Sequence, residues 1–287
     1  MIWSRIDQKT CLKCILTAGL TPIILETILK NDEVVTGNIE ALLDTLELSE
    51  ILCVLSTTSC FAPRVPDDVE RISKLCKEKN IFHIINNAYG LQCSKITNQI
   101  RESFRVGRVD FVVMSTDKNF LVPVGGAIVA SQNKEMIAIL NALYPGRASM
   151  APCLDLFVTF LAMGEKGYLE LVRKRKEMIS GFVNRLSQVA EKHGERMILT
   201  KGNTISFAIT CSRKEIGPRL YGRRVSGTRF VGNNEKEVLG FRFRTYGASY
   251  DGYPYEYLTA ACAIGITMQE IDIFLQRLDE LFTEPKQ

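Results

Sequence analysis

"DFVVMSTDKNFLVPVGG", residues 110–126, opens as a buried strand and closes on a glycine pair, with a lysine between them. Phe111 to Met114 are four apolar residues in a row, the pattern of a strand covered on both faces. Ser115, Thr116 and Asp117 then lead into Lys118. A charged side chain at a strand end is ordinarily a solvated loop residue. What Lys118 means therefore depends on what else reaches the same edge of the sheet.

Upstream, "TPIILE" (21–26), "ILCVLS" (51–56) and "IFHIIN" (81–86) repeat the apolar strand pattern, and "GGAIVAS" (125–131) adds another strand. Stretches 37–48, 66–79 and 94–105 read as helices, with Asp67 and Asp68 after Pro66 suiting a helix start. Strand–helix–strand units of this length predict an α/β fold with a parallel-rich central sheet and right-handed crossovers. After "YPGRASMAP" (144–152) the pattern changes. A long helix is expected over 168–193, with Tyr168, Val172, Ile179, Phe182, Leu186 and Val189 on one stripe and "RKRK" (173–176) as a solvated face. Strands at 204–210, 223–230 and 240–245 follow, then helices near 255–266 and 268–282. The reading is a large domain over 1–145 and a smaller C-terminal α+β domain over 146–287.

The 287 residues are 46% hydrophobic and 24% charged with net charge +4, a globular balance. No apolar run approaches the roughly 18 residues of a spanning helix. "MIWSRIDQKT" lacks the order of a signal peptide, so a cytoplasmic location and no membrane partner are expected. The nine cysteines are odd in number and scattered, which predicts reduced thiols. Cys11 and Cys14 form a lone CxxC with only His83 and His193 to add, too few ligands for zinc, and no metal site is expected. Two histidines also make a Ser-His-Asp arrangement a poor reading. His193, before Gly194, reads as a helix C-terminal residue.

Ligands of a parallel sheet bind beyond the carboxyl ends of its strands. Three such ends carry polar clusters: "STTS" (56–59), "NNAYG" (86–90) and "STDKN" (115–119). Lys118 is the sole amine among them. A lysine there suits a Schiff base to pyridoxal phosphate, with the Ser115 hydroxyl near the phosphate and Asn86 at the ring nitrogen. Gly125 and Gly126 allow close backbone approach. Desolvation and a neighbouring cation are expected to lower the pKa of the amine. The other reading is an ordinary surface lysine in a βα loop.

"TTSCFAPRVPD" (57–67), "HIINNAYG" (83–90), "DKNFLVPVGGAI" (117–128) and "YPGRAS" (144–149) resemble the O-phosphoseryl-tRNA(Sec) selenium transferase family. The resemblance runs from "WSRIDQKT" to the C-terminal helices. It implies a fold-type I pyridoxal phosphate-dependent transferase that makes selenocysteinyl-tRNA(Sec) from O-phosphoseryl-tRNA(Sec) and selenophosphate, working as a homo-oligomer, a tetramer in the family. By motif, Lys118 resembles the family's cofactor lysine. Asn86 resembles its residue beside the pyridine ring, where most fold-type I enzymes have Asp. Arg147 resembles its contact to the phosphoseryl group, and Arg105 and Arg229 its tRNA contacts. The implied reaction is β-elimination of phosphate, with the Lys118 amine taking the α-proton, followed by addition of selenium.

Composition supports the RNA contact separately. Residues 213–244 hold nine Lys/Arg against three Asp/Glu, interleaved with Tyr221, Phe230, Phe241 and Phe243. Arginine to phosphate plus aromatic stacking holds RNA ends, while the plainer reading is a solvated basic β-face. The family also has a region before "WSRIDQKT" carrying a phosphate-cradling loop and substrate arginines. Without it the sheet is expected to lack early strands, and the chain alone to turn over poorly. Two further readings are a pyridoxal phosphate lyase or decarboxylase of small amino acids, needing no basic face, and an inactive tRNA-binding or assembly fragment, showing no bound-cofactor absorbance.

Overall fold

The computed structural model describes residues 1–285. In chain order, the first half comprises β1 (Ile2–Ser4), α1 (Lys9–Thr17), β2 (Ile23–Leu25), β3 (Thr27–Lys30), β4 (Glu33–Thr36), α2 (Ile39–Leu43), β5 (Cys53–Thr57), α3 (Val69–Glu78), β6 (Phe82–Asn86), α4 (Ser94–Val106), β7 (Phe111–Ser115), α5 (Thr116–Phe120), β8 (Ala127–Ala130) and α6 (Lys134–Leu143). The second half holds α7 (Ala151–Lys192), β9 (Met197–Ile198), β10 (Ser206–Thr210), α8 (Ile216–Gly222), β11 (Arg229–Val231), β12 (Lys236–Val238), β13 (Phe241–Phe243), β14 (Tyr257–Ala261) and α9 (Met268–Thr283).

Six strands form the central sheet in the order β2-β1-β5-β6-β7-β8. All neighbours are parallel except β7 and β8. Alternation along the strands splits the apolar residues between two faces. Val54, Ile85, Val112 and Met114 meet α3 and α4 on one face. Trp3, Leu55 and Ile84 meet α1 and the β12–β13 hairpin on the other. Asp68 caps α3, its side chain accepting from Arg71 N. Asp67 turns inward instead, to the buried Arg64.

A second sheet, β11-β14-β10-β9, is antiparallel. One face is packed by α7, α8 and α9 through Phe182, Leu186, Leu220, Ile271 and Leu278. The other face meets Val34 and Ala62 of the first half in a shared apolar cluster. Here the structure corrects three sequence expectations. Residues 257–261 are not helical: Tyr257–Ala261 is a strand hydrogen-bonded on both sides, and its alanines suit burial between two strands as well as a helix. The strand expected over 223–230 is confined to Arg229–Val231. The long helix begins at Ala151 and is broken at Gly164, whose φ of 64° departs from helical geometry. His193 does end that helix, with Gly194 at φ 75° behind it.

His83 is buried at the centre of the sheet. Its Nδ1 faces the Arg108 carbonyl at 3.1 Å and its Nε2 the Ser56 hydroxyl at 2.7 Å, so Nδ1 carries the proton and Nε2 accepts. Burial lowers its pKa to about 4, against the opposing hydrogen bond to Arg108. A base with a depressed folded pKa binds fewer protons in the native state than in the unfolded chain. Stability should therefore be level above about pH 6.5, fall as pH drops from there towards about 4, and lose about 2–3 kcal/mol across that window. His83→Gln, whose amide can serve both partners, should flatten the fall between about pH 6.5 and 5, above most carboxylate titrations. Urea melts across that range check this, and a wild-type stability that stays level would contradict it.

Candidate active site

Parallel pairing in the order β5-β6-β7 brings Thr57, Asn86 and Ser115, the last residues of those strands, to one edge. Thr57 pairs with Asn86 and Asn86 with Val113. Since Ser115 lies two residues beyond Val113, Asn86 and Ser115 project from the same sheet face as diagonal neighbours, roughly 8 Å apart. It is the face that carries α1. Asn86 donates through Nδ2 to Cys11 Sγ at 3.3 Å, and burial pushes the Cys11 thiol up to about 12, so it stays a neutral partner.

Lys118 follows on α5. Its Nζ donates to Ser115 Oγ at 3.3 Å and to the Asp117 carboxylate at 3.1 Å. The side chain is 47% exposed. The expected desolvation and neighbouring cation are thus not found: β7 and β8 are half-open on this face, and the nearest charge is an anion. Thr116 is committed elsewhere, its hydroxyl donating to Gly126 O at 2.9 Å. A Cβ at Gly126 would come within 2.6 Å of that hydroxyl and 2.8 Å of Pro152 Cβ, so only glycine lets the start of α7 close on the lysine turn. Gly125, at φ 141°, supplies the backbone bend before it.

An accessible amine and a neutral amide on one sheet face match the aldehyde and the ring nitrogen of pyridoxal phosphate, and the residues present fit that group. Ser115 is the one hydroxyl on this face bonded to the amine. Arg147 is exposed and makes no side-chain hydrogen bond among the described residues. It lies five residues before Pro152, so the chain can carry it at most about 18 Å from the lysine turn's glycine contact. No hydrogen bond or ion pair among the described residues joins Arg147 to Lys118.

The other arginines lie apart. Arg105, in the last turn of α4, pairs with Glu102 at 2.7 Å and is otherwise solvated. Arg229 is exposed on β11. Among the nine cations of 213–244, Arg213, Arg219, Arg223 and Arg242 are paired with carboxylates. Lys214, Arg224, Arg229, Lys236 and Arg244 have no such partner among the described residues. Tyr221, 75% exposed, is open for stacking, but Phe243 is buried against Trp3. Phe241 and Phe230 pack against core clusters. Alternation along the short strands turns these rings inward.

Sequence reasoning missed Lys9, at the start of α1. The β12–β13 hairpin packs on α1, bringing the Lys236 ammonium over the Tyr246 ring at 5.1 Å. The Lys9 ammonium beside it, and then Arg229, lower the Lys236 pKa. Lys9, Lys236 and Arg229 thus gather with no salt-bridge partner among the described residues, Lys9 lying on the same helix as Cys11. Only tertiary contact reveals this, because the residues lie more than two hundred positions apart. The "RKRK" reading also needs correction: Arg175 is buried.

A family model described as O-phosphoseryl-tRNA(Sec) selenium transferase matches residues 1–283. An O-phosphoseryl-tRNA(Sec) selenium transferase from Dictyostelium discoideum is 47% identical over 99% of this chain and 65% of its own length. A crystal structure of the archaeal O-phosphoseryl-tRNA(Sec) selenium transferase superposes with TM-score 0.89 at 32% identity, covering 97% of this chain and 63% of that one. The chain therefore spans a little under two thirds of these relatives. A structure of Oryza sativa TDC with PLP and tryptamine shares the fold, with TM-score 0.70 at 13% identity over 100% of this chain and 61% of that one. The fold-type I architecture expected from the sequence is the one observed.

Proposed function

The chain belongs to the O-phosphoseryl-tRNA(Sec) selenium transferase family, and from that premise we propose that it serves the conversion of O-phosphoseryl-tRNA(Sec) to selenocysteinyl-tRNA(Sec), with selenophosphate as selenium donor and pyridoxal 5'-phosphate as cofactor. The observation that carries the reading is the pairing of Lys118 and Asn86 on one face at the carboxyl edge of β6 and β7. When bound, the cofactor supplies an electron sink that acidifies the α-proton of an attached amino acid. Lys118 is the amine that holds its aldehyde and the base that takes the α-proton, and Asp117 steadies the ammonium form that results. Asn86 meets the ring nitrogen with a neutral amide. That gives less pull than a carboxylate, enough for a leaving group as good as phosphate. Arg147, with no partner of its own, is the charge for the phosphoryl group.

Residues 1–145 form the cofactor-binding part in this reading and 146–287 the C-terminal part. A cytoplasmic location fits the nine unpaired thiols, and no helix of the described residues is long and apolar enough to cross a membrane. Assembly of several copies fits the exposed Leu143, Tyr144, Leu154, Phe157, Val158 and Leu161. The test is to supply pyridoxal phosphate, phosphoseryl-tRNA(Sec) and selenophosphate to the purified protein, and to follow cofactor absorbance, phosphate release and radiolabelled selenium on the tRNA. All three signals support the reading. tRNA binding with no cofactor band would make the chain a binding piece, and turnover of free amino acids without tRNA would make it a lyase or decarboxylase.

Arg105 and Arg229 are the proposed tRNA contacts, with Lys236 beside Arg229. Arg229→Ala should weaken tRNA(Sec) binding and lower the slope of log affinity against log salt by about 0.7–0.9, the loss of one phosphate contact. Lys236→Ala should do the same. Filter binding across a salt series checks both, and slopes equal to wild type would remove this face from the interface.

A further inference from the structure

Arg175 is 2% exposed, yet no carboxylate pairs with it among the described residues. Its guanidinium is spent on three main-chain carbonyls instead. Nε donates to Cys262 O at 2.7 Å, Nη1 to Gln92 O at 3.1 Å and Nη2 to Thr204 O at 2.6 Å. Burial opposes its charge and lowers its pKa. A fork of fixed donors is well suited to hold three strands of chain in one geometry. Two of those carbonyls belong to the C-terminal half, and the third belongs to the loop after β6.

Gln92 continues the connection. Its Oε1 accepts from Ile264 N at 2.7 Å, while Nε2 donates to Tyr89 O at 3.0 Å and to Lys118 O at 3.4 Å. Asn119 ties the same loop to the lysine turn, donating to Ser115 O at 2.7 Å and Ala88 O at 2.9 Å and accepting from Leu91 N at 3.2 Å. Leu121 then lies against Gly265, where a Cβ would meet its Cδ2 at 2.8 Å. Every bond in this chain of contacts is buried or half-buried, and it ends on the backbone of Lys118.

We propose that Arg175 and Gln92 are positioning residues for Lys118, fastening the β14–α9 loop to the turn that bears the amine so that the C-terminal half sets where the amine stands. The proposal rests on Lys118 being the cofactor lysine. It gives the buried arginine a task in the reaction, because a base displaced by about an ångström loses its geometry for proton transfer. It also gives the basic C-terminal face a route to the amine when RNA docks there.

The experiment compares wild type with Gln92→Leu, Arg175→Met, Arg175→Lys and the control Leu278→Ala. Leu278 is fully buried in the C-terminal core and makes none of the hydrogen bonds of this path. Each protein is incubated with sub-saturating pyridoxal phosphate well below its melting temperature, reduced with borohydride, and mapped. The pH midpoint of the visible cofactor band is recorded alongside. Gln92→Leu and Arg175→Met should lower Lys118 modification by about tenfold or more, since one lost buried hydrogen bond is of that order and each variant loses three, and should move the midpoint. Arg175→Lys has three N–H donors for three carbonyls and should recover most of the loss. Leu278→Ala should melt earlier with labelling and midpoint unchanged. If Arg175→Met does not fold, Gln92→Leu and the lysine variant decide the matter. Wild-type labelling at Lys118 with Gln92→Leu within about twofold of it overturns the positioning role alone, since a lost buried bond should cost more. Wild-type labelling at another lysine removes the premise and the proposal together.

Discussion

Borohydride reduction in the presence of pyridoxal phosphate should fix the pyridoxyl group on Lys118, and Lys118→Ala and Lys118→Arg should both abolish that label. The amine is the sole one among the three polar strand ends at the carboxyl edge, and it is 47% exposed, open to the aldehyde. Arginine keeps the charge and the pairing with Asp117, but its guanidinium stays protonated and forms no Schiff base under these conditions. Loss of label in both variants therefore separates nucleophile from charge. Turnover should fall by about 10²- to 10⁴-fold or more, the contribution of a positioned general base. Stability should change by less than about 1 kcal/mol, because a half-solvated ion pair adds little. Mass mapping of the reduced protein checks the assignment. A label that persists in Lys118→Arg would transfer the role to another lysine.

The part of the site that could be read in advance is the part built from strand ends. Asn86 and Lys118 follow runs of Ile, Val and Phe long enough to be recognised as strands, and parallel topology then fixes where their ends meet. β1 is three residues long, too short for any periodicity, so the first strand of the sheet was invisible. Tyr257–Ala261 misleads because alanine and leucine suit a helix as readily as a covered strand, and the fully buried environment decides between them. Arg175 sits in a basic run on a helix, the usual setting of a solvated face. Its partners are carbonyls of residues 92, 204 and 262, which carry no side-chain signature at all. Lys9 and Lys236 escaped for the same reason, since their meeting depends on a hairpin docking on α1.

Asp67→Ala should be among the most destabilising single substitutions in the chain, costing about 3–5 kcal/mol, the range for stranding one member of a buried ion pair. Asp67 Oδ1 accepts from the Arg64 guanidinium, from Ser4 Oγ at 2.9 Å and from the Thr36 hydroxyl. Its Oδ2 accepts from Thr57 N at 2.7 Å. Both charged side chains are almost wholly out of water. Burial works most strongly against the Arg64 charge, but the Asp67 carboxylate, together with Cys60 and Asp7, holds the arginine pKa above its ordinary value. Remove the carboxylate and a guanidinium remains in the core, with the Arg5 and Val65 carbonyls and the Ser4 and Thr36 hydroxyls as its partners among the described residues. The damage should extend to the site. Thr57 pairs directly with Asn86 in the sheet, so freeing its N–H loosens the edge from which the ring-nitrogen partner projects. The double variant Arg64→Met/Asp67→Leu removes both charges and should be far milder than either single change, because apolar replacement of a buried pair is often close to neutral. Urea melts of wild type, Arg64→Met, Asp67→Leu and the double variant give the coupling energy. A cost for Asp67→Ala below about 1 kcal/mol, or a double variant as unstable as the sum of the singles, would mean that the pair is not what holds β1, β5 and the Asn86 edge together.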